Sequence, residues 1–136
     1  MANIKENEKE LARLYGEIAN GIVKELPQGW THLATGFFVD EDGCESQLIY
    51  VSENNGKDWR DFMKDVFAAG YVMKGVIESK EACQELHALC AKAGDKWTQF
   101  TLLVDAQGNF HSKYDYDSFE RMTPMLRKMW IGEFLA

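Results

Sequence analysis

The stretch Trp97 to Asp117, "WTQFTLLVDAQGNFHSKYDYD", decides the fold. Two runs rich in aromatic, β-branched and threonine residues flank "AQGN", where Gly108 and Asn109 are turn formers, so the segment reads as a β-hairpin. Phe100, Leu102 and Val104 alternate onto one face of its first strand. On the second strand the same alternation puts Phe110, Tyr114 and Tyr116 on one face and His111, Lys113, Asp115 and Asp117 on the other. The expectation is that the tyrosine rings turn toward a core and the carboxylates toward water.

Working outward, an earlier segment repeats the design. Trp30 to Val39 and Cys44 to Ser52 flank "DEDG", whose Gly43 suits a tight loop, giving a further hairpin. Before it, Leu11, Leu14, Ile18, Ile22 and Leu26 recur at three and four, the stripe of an amphipathic helix, which Pro27 and Gly29 end. Between the hairpins, Trp59, Phe62, Met63, Val66 and Phe67 fit a second helical stripe, and Tyr71 to Ile77 fits a short strand. A central helix is predicted from Ser79 as N-cap to a stop at Gly94, with Ala82, Leu86, Leu89 and Ala93 inward. Thr123 and Pro124 open a last helix carrying Met125, Leu126, Met129, Trp130 and Leu135. The predicted class is α+β: an antiparallel sheet of two hairpins, with room for one extra strand, packed on an N-terminal, a central and a C-terminal helix.

With 136 residues, 46% hydrophobic and 27% charged, and two prolines, the chain suits one domain, 1–136, with a sizeable core. Its opening "MANIKENEKE" lacks the apolar centre of a signal peptide, and no apolar run reaches the roughly 18 residues of a spanning helix, so a cytoplasmic location is expected. Cys44, Cys83 and Cys90 are expected as reduced thiols. The net charge of −7 supplies no basic footprint for nucleic acid, whereas a basic protein partner suits it.

Catalytic constellations are few. Cys83, His87 and Cys90 share a helix face, but structural zinc takes four ligands and buried cysteines commonly serve as small core residues. Asp115, Asp117 and Glu120 supply oxygens for a hard cation, yet the calcium-loop pattern is missing and Lys113 shares their face. His32, His87 and His111 bring no evident nucleophile, and the GxSxG, Walker and dinucleotide glycine motifs are absent. No cofactor is implied and no enzymatic activity is expected. A metal-dependent hydrolase using Asp115, Asp117 and His111, and a self-associating scaffold, stand as the alternatives.

Read in order, "LYGEIANGIVKELPQGW" (Leu14 to Trp30), "KWTQFTLLVDAQGNFHSKYDYD" (Lys96 to Asp117) and the final helix with Trp130 resemble the YezG-like family of bacterial antitoxin and immunity proteins. The resemblance covers nearly the whole chain; "DWRDFMKDVFAAG" departs from it, being helical in pattern where relatives have an extended segment. It implies a protein that binds a toxin, commonly the C-terminal nuclease domain of a secreted or contact-delivered protein. Candidate anchors for such a partner are Trp59, Tyr71, Tyr114, Tyr116 and Phe119, and candidate rim charges are Asp40, Glu41, Asp42, Asp115, Asp117 and Glu120.

Overall fold

The computed structural model describes the backbone of residues 4–136 and the side chains from residue 8 onward, so part of the polar opening stretch lies outside the described residues. The elements run α1 (Ile4–Val23), β1 (His32–Val39), β2 (Glu45–Ser52), β3 (Arg60–Asp61), α2 (Phe62–Ala68), α3 (Lys74–Lys92), β4 (Gln99–Asp105), β5 (Phe110–Asp115) and α4 (Pro124–Phe134). The strands form one antiparallel sheet in the order β3-β2-β1-β4-β5. Both predicted hairpins are there, joined through β1 and β4, and β3 is the extra strand.

The central strand shows why helices occupy both faces. "HLATGFFV" is buried over its six inner residues, the near-continuous run that a strand covered on both sides requires. Leu33 and Phe37 face α1 and α3, where Phe37 packs with Leu14, Ile18 and Leu86, and Leu33 with Ile22, Ile49 and Val76. Ala34 and Phe38 face α4 and pack with Tyr50 and Trp130. Each fully buried Leu, Ile or Phe in these layers contributes roughly 1.5–3 kcal/mol of transfer free energy.

Glycines set the layer distances. A Cβ on Gly36 would lie 2.9 Å from the Trp130 indole, so β1 lacks a side chain where α4 lays its ring. A Cβ on Gly21 of α1 would meet the Gly75 carbonyl of α3 and stand 3.0 Å from the Ser79 nitrogen, so the two helices touch backbone to backbone.

That helix contact explains the main departures from the predicted elements. α3 begins at Lys74 behind Met73, not at Ser79, and Tyr71 to Ile77 is no strand. Its added first turn carries Gly75 onto Gly21 and buries Val76, and packing of this kind outweighs the strand propensity of a short β-branched run. Ser79 is therefore buried inside the helix, where its hydroxyl accepts from Gln47 Nε2 at 3.2 Å. Ala93, predicted as an inward residue, is the exposed C-cap, while Cys83 and Cys90 fill the inward stripe. α1 ends at Val23, though Leu26 still packs on the core. The α4 start is as read: the Thr123 hydroxyl accepts from Leu126 N–H at 3.2 Å, with Pro124 in the first turn.

Candidate partner-binding surface

The β1–β2 loop is built by Asp40. Its carboxylate accepts the N–H groups of Asp42 and Cys44, each at 2.9 Å, and Gly43 supplies the positive φ that closes the turn. Asp40 is thus committed to shaping the loop, and the exposed Glu41 and Asp42 are what the loop presents.

The chain leaving β5 is tied to this same end of the sheet. The Thr98 hydroxyl donates to the Asp117 carbonyl at 2.7 Å, and Glu41 N–H donates to the Phe119 carbonyl at 3.0 Å. The Phe119 ring meets Phe38 edge-on at 6.3 Å. Residues 116–119 therefore run from β5 across the end of β4 to β1. Asp40, Glu41, Asp42, Asp115, Asp117, Phe119 and Glu120, distant in sequence, come together at one end. Asp95 lies near them: the influence of its carboxylate pushes the Tyr116 pKa up to about 12.

Alternation along β5 holds, but what covers each face differs from expectation. The face of His111, Lys113 and Asp115 lies toward α4, where Lys113 bonds Glu133 and stands 3.6 Å from Asp115. Asp115 is half-buried, and its Oδ2 is buried without a hydrogen-bond partner; only Asp117, beyond the strand, stands in water as predicted. On the opposite face Tyr114 alone enters the core. Its ring lies 5.1 Å from Phe100, its hydroxyl bonds that of Tyr15, and burial drives its pKa upward. Phe110 and Tyr116 are instead 62% and 57% exposed, Phe110 meeting the Tyr15 ring of α1 edge-on at 6.1 Å.

Two further candidates lie elsewhere. Trp59 is at the opposite end, edge-on to His32, where it lines with His111 and Phe134 a concavity of about 330 Å³. Tyr71 sits in the turn between α2 and α3, 65% exposed beside Val72 and the 80% exposed Phe67. The sequence signal for that patch was surplus apolar content: α2 buries only Phe62 fully, so its stripe is wider than the face it covers.

Among the described residues no three His, Cys, Asp or Glu side chains are grouped to hold a metal ion. His111 and Asp115, four positions apart on one strand, are separated by about 13 Å of backbone. Cys83 and Cys90 are buried free thiols, with burial pushing both pKa values up, and His87 Nε2 lies 3.1 Å from the Trp97 carbonyl oxygen. No helix among the described residues is long and apolar enough to cross a membrane.

The arrangement defines an α+β protein in which the acidic candidates and Phe119 meet at one end of the sheet, where Asp115, Asp117 and Phe119 line with Met129 and Glu133 of α4 a concavity of about 150 Å³. A protein-family model described as "Immunity protein YezG-like" matches residues 11–133, from the first turns of α1 to the end of α4, and the chain belongs to that family. Comparison with curated proteins gives no match.

Proposed function

We propose that this immunity protein binds and neutralises the nuclease domain at the C-terminus of a secreted or contact-delivered toxin, using the acidic end of the sheet. The family match over nearly the whole chain carries the toxin-binding reading. The nuclease reading is supported by charge: a domain that binds phosphates is commonly cationic, and a partner of net charge −7 gains electrostatic steering toward it. Exposed Glu41, Asp42, Asp117 and Glu120 form the rim, with Phe119 and Tyr116 as the apolar and aromatic contacts beside them. Tyr114, in the core, acts by holding β5 rather than by touching the partner.

The test is co-expression with the toxin encoded in the neighbouring reading frame. The expected result is rescue of growth, a co-purifying complex and loss of nuclease activity in vitro. Full toxicity with no complex would sink the pairing, and rescue from a toxin that cleaves no nucleic acid would sink the nuclease assignment while leaving toxin binding intact.

A further inference from the structure

β5 is an edge strand, and among the described residues no strand pairs beyond it. Half of its backbone polar groups therefore face outward, and the ladder to β4 says which half. Asp105 N–H donates to the Asn109 carbonyl at 3.0 Å, and Thr98 N–H to the Asp115 carbonyl at 2.9 Å. Antiparallel bonding alternates, so residues 109, 111, 113 and 115 turn toward β4, while Phe110, Ser112 and Tyr114 offer N–H and C=O outward. The bond from the Thr98 hydroxyl to the Asp117 carbonyl carries the same phase past the strand end, so Tyr116 also turns outward.

The side chains beside that edge have a polarity. Along the face toward α4 the order is His111, Lys113, Asp115, Asp117, with basic residues first and acids last. A strand of that pattern is complementary to its own reverse. An antiparallel pairing about a two-fold axis at Tyr114 sets Lys113 opposite Asp115 and His111 opposite Asp117, each twice. These fall at the non-hydrogen-bonded positions, where facing side chains approach most closely. Ser112 and Tyr116 fall opposite each other at the bonded positions, using the outward groups. Neighbouring registers do worse: an axis at Lys113 opposes Lys113 to itself, and one at Ser112 opposes it to His111.

We infer that β5 pairs antiparallel with β5 of a second copy of this chain, with the two-fold axis at Tyr114, continuing the sheet across the dimer. The exposed rings of Phe110 and Tyr116, at either end of the other face, gain cover from the partner strand. Physiological salt screens the mutual repulsion of the two −7 chains beyond about 8 Å, leaving the short-range cross-strand pairs to set the register. The β1–β2 loop, two strands from this edge, stays free, whereas Tyr116 and Asp117 are covered, so that self-pairing and the proposed toxin contact compete for these two residues. A single-strand contact ranks among small, transient interfaces, so the dimer is reversible and concentration-dependent.

Sedimentation velocity over a concentration series reaching high micromolar tests this with the full chain. Ser112→Pro removes an outward N–H without touching a bond to β4, and is expected to weaken self-association by about tenfold. Lys113→Asp should weaken it comparably, by placing two acids opposite each other. His111→Asp should weaken it too, and adding Asp117→Lys, both side chains being exposed, restores opposite charges in the self-paired register, so that dimerisation should return. Monomer at every concentration, a dimer indifferent to Ser112→Pro, or no rescue by the double exchange would each overturn the inference. So would β5 variants that alter toxin binding while the free chain stays monomeric, since the edge would then belong to the toxin.

Discussion

At Gly36 the missing side chain makes room for another residue's ring. Trp130 lies against it, and the indole N–H donates to the Thr101 hydroxyl at 2.9 Å, Thr101 being the β4 neighbour of Gly36. Gly36→Ala is expected to cost about 1–3 kcal/mol through overpacking, read as a lower urea midpoint. Thr101→Val, nearly equal in volume, leaves the buried indole N–H without its acceptor and should cost about 1–3 kcal/mol as well. Asp105 is a residue whose role depends on pH. Its carboxylate accepts from the Asn109 side chain and from the N–H groups of Gln107 and Asn109, and these bonds hold its pKa below the usual value. A depressed folded pKa adds stability above the unfolded value, lost as pH falls through the folded one. Asp105→Asn should therefore narrow the gap to wild type as the pH drops below about 4, as followed by acid titration of the melting temperature.

The contact between α1 and α3 gives one substitution two signs on a single helix. Gly16→Ala meets nothing within 4 Å and replaces a poor helix former, so it should stabilise by about 0.5–1 kcal/mol. Gly21→Ala drives a methyl into the Gly75 carbonyl and the α3 backbone, and is expected to cost about 1–3 kcal/mol despite the same gain in propensity. Equal effects of the two in chemical denaturation would mean that the helices do not touch there. At this scale much was legible in the sequence. Gly108, with φ of 91°, and Gly43, with φ of 80°, mark both hairpin turns, and Thr123 with Pro124 marks the start of α4, because turns and caps are chosen by neighbouring residues. The start of α3 was not legible, since Gly75 finds its reason in Gly21, which lies on another helix.

For the whole molecule, the proposed toxin binding rests on the grouping of acids at one end of the sheet. Asp42→Lys with Asp117→Lys leaves both hairpins intact, as these side chains are exposed. The pair is expected to slow association with a basic toxin domain about tenfold at low salt, and less at high salt. Stopped-flow rates unchanged at both ionic strengths would move the interface away from this end. Asp115 is a poorer choice of variant than its place in "YDYD" suggests, because it is half-buried toward α4 and any effect would mix folding with binding.

By itself the sequence determined the two hairpins, the α+β class, the α4 start and the resemblance that the family match bears out, since each rests on alternation, turn chemistry or ordered motifs within a short span. The tertiary structure alone decided which residues of "KYDYDSFE" face what: Tyr114 enters the core, Tyr116 stays outside, and Asp115 turns toward α4. It also decided that Glu41 and Phe119 are bonded neighbours while Trp59 and Tyr71 lie apart from them. Alternation assigns a side chain to a face of its strand, but what covers that face is supplied by helices far away along the chain.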